Sequence, residues 1–152
     1  MVCYRRHRRL LIRAALDLLT TNNPATVSVV ATAPNASETG PTPGVFTFSR
    51  AGNTNTALAV HYQIGGTATR LVDYQTPQGD MPDFVIIPAG AASATRVIVP
   101  IDNTLVEGPE SVILSLSAID AYHVGSPSSA TVTIADKVMC AFLQSSEPRL
   151  AL

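Results

Sequence analysis

From residue 24 onward, apolar and polar positions alternate in short runs separated by clusters of Gly, Pro, Asn, Asp and Ser, which is the pattern of half-buried β-strands. Thr26–Ala33 predicts a first strand and Val45–Arg50 a second, with Phe46 and Phe48 on one face. In the next run Leu58, Val60, Tyr62 and Ile64 face one way and Ala57, Ala59, His61 and Gln63 the other, and Gly65-Gly66 ends it. Phe84–Ile87 follows, then a strand in which Val97, Val99 and Ile101 share a face, then Val112, Leu114, Leu116 and Ala118 on one face. Ala130–Ala135 closes the series at Asp136. The stretches Pro34–Gly44, Thr67–Gly79 and Asp120–Ser129 read as connections. Seven strands at short, regular spacing predict an all-β fold, a seven-stranded immunoglobulin-like antiparallel β-sandwich, with a β-barrel as the structural alternative.

The flanks break this pattern. Residues 1–23 carry Arg5, Arg6, Arg8, Arg9 and Arg13 against Asp17 alone, and Leu11, Ala15, Leu18 and Leu19 share one helical face. This basic segment reads as a degenerate export leader, an appendage helix, or residues ahead of the true start of the module. Arg13 and Asp17 interrupt the apolar run, no small-residue cleavage site follows, and the run is too short and charged for a transmembrane segment. Residues 138–152 form a tail without strand alternation. The domain is therefore expected over residues 24–137, where nine acids face four bases, a balance that does not seek nucleic acid. The two cysteines, Cys3 and Cys140, fall in the flanks and are expected to stay unpaired.

The connection Ile101–Ser111 concentrates candidate chemistry. Asp102 and Glu107 are five apart with the amide of Asn103 between them, and Gly108-Pro109 turns the chain so that Glu107 can fold back toward Asp102. Crowded oxygen donors suit a hard cation; calcium takes six to eight oxygens in irregular geometry, so other loops would have to contribute. A solvated hairpin loop with routine acids is the alternative. His61 reads as a solvated surface residue. No nucleophile motif or phosphate loop surrounds His61, His123 or the loop acids, so the sequence does not read as an enzyme.

Several motifs in order, Gly44-Val45-Phe46-Thr47-Phe48-Ser49-Arg50, Val60–Ala68, Asp73-Tyr74, Ile87-Pro88-Ala89-Gly90, Ile101-Asp102-Asn103, Glu107-Gly108-Pro109-Glu110 and Ala130–Asp136, resemble the Calx-beta domain of sodium–calcium exchangers, integrin β4 and bacterial surface proteins. The resemblance covers roughly residues 24–137. It implies a calcium site in the loops at one end of the sandwich, with Glu38, Asp73, Asp102, Asn103, Glu107 and Asp136 as metal ligands. Asn103 stands where strong binders have a second aspartate, and Val138 falls where another acid is expected, so weak or moderate Ca2+ affinity is implied. The resemblance also implies an extracellular or cell-surface repeat module, with neighbouring domains or cell-surface proteins as further partners in adhesion. A calcium-independent structural or adhesive spacer is the alternative function.

Overall fold

A computed structural model describes residues 24–103 and 105–137; the basic leader or helix, the tail, Cys3 and Cys140 lie outside the described residues. Every regular element described is a strand: β1 (Ala25–Ala33), β2 (Asn35–Ser37), β3 (Gly44–Ala51), β4 (Leu58–Gly66), β5 (Tyr74–Gln75), β6 (Phe84–Ile87), β7 (Ser93–Pro100), β8 (Glu110–Leu116), β9 (Tyr122–Val124) and β10 (Ser129–Ala135). They form two five-stranded sheets, β5-β7-β3-β1-β9 and β2-β10-β8-β4-β6. The class is the expected sandwich, but ten strands replace the expected seven. The three extra strands, β2, β5 and β9, are two or three residues long and lie inside stretches that read as connections. Elements this short hold too few alternating positions to be read, and they exist by borrowing the edge of a longer neighbour. Two of them also pair in parallel, β9 with β1 and β2 with β10.

The core lies between the sheets. Val27, Val29, Phe46 and Phe48 from one face Val60, Tyr62, Val112, Leu114, Val132 and Ile134 from the other, all essentially excluded from solvent. Phe48 and Tyr62 meet across the layers with ring centroids 5.1 Å apart. Tyr122 on β9 adds a polar clamp: its hydroxyl accepts the His61 N–H at 3.1 Å and lies 2.7 Å from the Ser117 carbonyl. On β7 the sequence pattern misleads. Val97 and Val99 are only partly buried, while the core side is Ile98 and Pro100, on the face of Arg96 opposite Phe46. That inward set includes an arginine, whose Nη2 donates to the Phe84 carbonyl at 2.7 Å, so the more apolar set faces outward.

The two poles are built differently. Near the start of β1, the buried guanidinium of Arg50 donates to the carbonyls of Ala91, Thr56, Thr54 and Pro88 at 2.7–3.1 Å. One cation thus satisfies four carbonyls from two loops and pins both to the end of β3. At the opposite pole β1 changes sheets. Its pairing with β3 slips between Ala31 and Ala33. After Pro34, whose carbonyl accepts from Thr133 N at 2.8 Å, the chain continues as β2 beside β10. This switch carries Glu38 to the end of the last strand.

Two outcomes are expected. Residues 24–137 produced alone unfold in one cooperative transition; amide exchange showing residues 1–19 as protected as Val112–Leu116 would place the basic segment in the core instead. Arg50→Ala strands four carbonyls at once and lowers the unfolding free energy by about 3–5 kcal/mol in denaturant titration; a loss within the range of surface substitutions would contradict the carbonyl cage.

Candidate metal centre

Four chain segments bring acids to the pole where β1 changes sheets. The backbone N–H of Glu38, just past β2, donates to the Ala135 carbonyl at 3.0 Å, which sets Glu38 beside Asp136. Asp73 closes a tight turn before β5. Its Oδ2 accepts from Thr69 N at 2.6 Å, and its carbonyl accepts from Ile101 N at 2.8 Å, tying it to the loop that holds Asp102. Asp136, directly after β10, accepts at Oδ2 from Glu107 N at 2.7 Å and Gly108 N at 2.9 Å. The Glu107–Gly108 turn is therefore folded onto the end of β10, and Gly108 supplies the positive φ, 86°, that this turn requires.

Donor atoms of Asp73, Glu107 and Glu110 lie within 4.8 Å of one another. Glu38 lies in the field of Asp136, Asp102, Asp73 and Glu107. The five acids nominated from sequence thus share one pole, and Glu110 joins them. Glu110 was missed, although a signal was available: it has the parity of Val112 and Leu114 on β8, so it points toward the core side rather than away from it. Asn103 stands apart in role. Its Oδ1 accepts from Leu105 N at 2.6 Å in a local turn, and its Nδ2 is buried without a partner. Asp102 is half exposed and ion-paired with Lys137 at 3.2 Å.

The electrostatics follow from the geometry. Burial raises the Glu38 carboxyl, and Asp136, Asp102, Asp73 and Glu107 push it further. Glu110 rises to about 7, first through burial and then through the adjoining Asp73, with Glu107 and Glu38 adding repulsion. Asp136 moves the other way, because the N–H groups of Gly108 and Glu107 stabilise its charge. Two carboxylate oxygens, Glu38 Oε2 and Asp73 Oδ1, are buried with no hydrogen-bond partner. Both residues are almost wholly buried, at 4% and 2% exposure. Buried anionic oxygens are normally paired, and the orphaned pair together with the neighbouring acids fits a hard divalent cation. Asp73, Glu107 and Glu110 bring donor atoms close enough to share one, and Glu38 lies beside them.

No family model matches the chain, and no curated protein does. Solved structures do match. The apo-form Calx CBD1 domain aligns at 22% identity over 74% of this chain and 98% of its own, with a TM-score of 0.55. The fold is that of the Calx CBD domains. The calcium binding domain CBD12 of CALX1.1 aligns at 22% identity over 71% of this chain, which spans 44% of that one, with a TM-score of 0.55. The Calx CBD2 domain aligns at 13% identity and a TM-score of 0.52, over 73% of this chain and 86% of its own. The Calx-type sandwich here therefore corresponds to a single CBD-sized unit. Among the described residues no helix is long and apolar enough to cross a membrane.

The raised acids fix a pH dependence for the metal-free protein. Between about 4.5, the ordinary glutamate value, and about 7 the folded chain keeps a proton on Glu110 that the unfolded chain has released. The folded state binds more protons there, so stability falls as pH rises through this window, by on the order of 2 kcal/mol. Asp136, whose carboxyl is lowered, loses its contribution only below its ordinary 3.8 and does not interfere. In chelator, melting should therefore be lower at pH 7.5 than at pH 5.5, and Glu110→Gln should flatten the difference; a melting temperature that climbs over this interval in the wild-type protein would contradict the packing of Glu110 against Asp73.

Proposed function

We propose that this chain is a calcium-binding module of Calx-beta type, with the ion held by loop carboxylates at one end of the sandwich. The observation that carries the reading is the pair of buried, unpartnered oxygens, Glu38 Oε2 and Asp73 Oδ1, in a pole shared with Glu107 and Glu110. A cation there removes two desolvation penalties and the mutual repulsion of the acids together. Asp102 and Asp136 complete the negative field. Asp136 acts mainly by fixing the Glu107–Gly108 turn. The likeness to a structure named a calcium binding domain supports the same reading. Binding of weak or moderate strength fits the site, because Asn103 presents an amide where a carboxylate would add charge.

The sequence resemblance further supports an extracellular or cell-surface setting, in which the module occupies residues 24–137 of a longer architecture and meets neighbouring domains or surface proteins. One observation favours a calcium-independent spacer instead. The ammonium of Lys137 already sits 3.2 Å from Asp102 and neutralises part of the pole without any metal. It reaches only the exposed Asp102, however, and leaves the two buried oxygens without a partner.

Melting curves with metal titration separate the two. Calcium at about 100 times its dissociation constant adds roughly 2.7 kcal/mol, a shift of several kelvin for a domain of this size. Magnesium shifts it much less, since it demands a tight octahedron. Asn103→Asp binds calcium more tightly and is less stable in chelator, while Asp73→Asn loses affinity and gains chelator stability. No shift at millimolar calcium would overturn the calcium reading in favour of the spacer.

A further inference from the structure

The acidic pole carries a second feature that cation binding leaves unexplained. Leu105 and Val106 immediately precede Glu107, and Leu71 and Val72 immediately precede Asp73. These four side chains are 57%, 69%, 54% and 50% exposed, among the most exposed large apolar groups of the described residues. Donor atoms of Asp73 and Glu107 lie within 4.8 Å of one another, so both apolar pairs stand on loops that meet at one place. The turn before Leu105 also holds an orphan of the opposite kind. Asn103 Nδ2 is buried and finds no acceptor among the described residues. A bound cation cannot serve it, because an amide N–H is a donor and requires an acceptor.

The chain itself brings suitable groups to this spot. β10 ends at Ala135, Asp136 Oδ2 accepts from Glu107 N at 2.7 Å, and Lys137 Nζ lies 3.2 Å from Asp102. The chain after Lys137 therefore starts beside the Leu105–Val106 tip. The next six residues, Val138-Met139-Cys140-Ala141-Phe142-Leu143, are all apolar, and the next charge comes only at Glu147. Six extended residues span up to about 20 Å, enough to cross the adjoining tips. We propose that residues 138–143 dock across Leu105, Val106, Leu71 and Val72, with a main-chain carbonyl of the segment accepting from Asn103 Nδ2. An uncharged segment brings no carboxylate to the acids and needs no ion to recruit it, so this contact forms without metal and is independent of the calcium reading. Burial of apolar surface on both sides supplies the attachment. The basic residues 1–23 would be drawn by charge, but they enter β1 at the Arg50 pole, and the nine residues of β1 separate the poles by about 30 Å.

The test uses the full 152-residue chain in chelator. In a Cys3→Ser background Cys140 is the single thiol. Its alkylation by iodoacetamide should run about tenfold faster when Leu105→Ser and Val106→Ser are added, because the docked segment must open before the thiol reacts. The serine variant retains every charge, so the comparison isolates the apolar contact from the field of the acids. Ile86→Ser, at a site 53% exposed on β6, should leave the rate unchanged. Phe142→Ser with Leu143→Ser should lower the melting temperature by several kelvin, as should the tip pair, and all four together should be no worse than either pair, since each pair removes the same contact. An unchanged Cys140 rate in the tip variant, an equal acceleration by Ile86→Ser, or additive melting losses each overturns the docking. A chain that sediments as a dimer and becomes monomeric in the tip variant also overturns it, assigning the tips to a second copy.

Discussion

Mutual repulsion among crowded carboxylates, two of them buried, is the constraint that organises this molecule. Two unit charges 4.8 Å apart interact at roughly 3–4 kcal/mol in a partly buried setting. Several such pairs coexist at one pole, so the sandwich must hold them there by backbone connections that the charges cannot push apart. The strand switch at Pro34 delivers Glu38, the β5–β7 pairing holds Asp73 against Ile101, and the end of β10 grips the Glu107–Gly108 turn through Asp136. The first two connections are made by main-chain groups, which have no rotamer by which to retreat, and the third fixes a backbone turn through the Asp136 carboxylate.

The opposite pole shows the complementary solution to the same problem. Arg50 is a buried charge without a carboxylate, yet every one of its bonds goes to a carbonyl dipole, so its desolvation is offset locally. The acidic pole has no such internal remedy. Its hydrogen bonds satisfy Asp136, one oxygen of Asp73 and the exposed Asp102, which Lys137 reaches, and leave Glu38 Oε2 and Asp73 Oδ1 without a donor. Between the poles, the Phe48–Tyr62 contact and the Tyr122 clamp join the sheets independently of either charge cluster. The core can therefore tolerate an acidic end that is itself destabilising, which is the ordinary arrangement for a functional site on a rigid scaffold.

The sequence was legible where elements are long and their faces unequal. Val27 and Val29, Phe46 and Phe48, Val60 and Tyr62 alternate cleanly, and the sandwich could be read from them. It was misread where the inward face carries polar or small residues, as on β7, and it was silent on β2, β5 and β9, whose existence depends on partners distant in sequence. The site was legible to a similar depth. Acids at strand ends could be seen to gather, because an antiparallel sandwich collects alternate loops at each end. What could not be read was which oxygens are satisfied. Asp136 spends its charge on two backbone N–H groups, and Asn103 turns its carbonyl oxygen to Leu105, and both facts depend on turn geometry. Glu110 lay within reach of parity alone, but its position next to a Gly-Pro turn made it look like part of the loop.

Three positive species can reach the oxygens of this pole, and their competition follows from where each is able to go. A proton settles on Glu110, because burial and Asp73 raise that carboxyl to about 7. The ammonium of Lys137 settles on Asp102, which is exposed enough to receive a flexible side chain. The lysine reaches neither Glu38 Oε2 nor Asp73 Oδ1, and the Glu110 proton is shared only with the Asp73 carboxylate. A proton could neutralise either residue but would supply a single bond, and the lysine stem is engaged at the rim. Only an ion that accepts several oxygens at once removes both orphans and the repulsion between them. Under the proposed function the selectivity of the pole is thus a matter of coordination number rather than of charge alone, and the proton and the lysine set the threshold that a divalent ion must exceed.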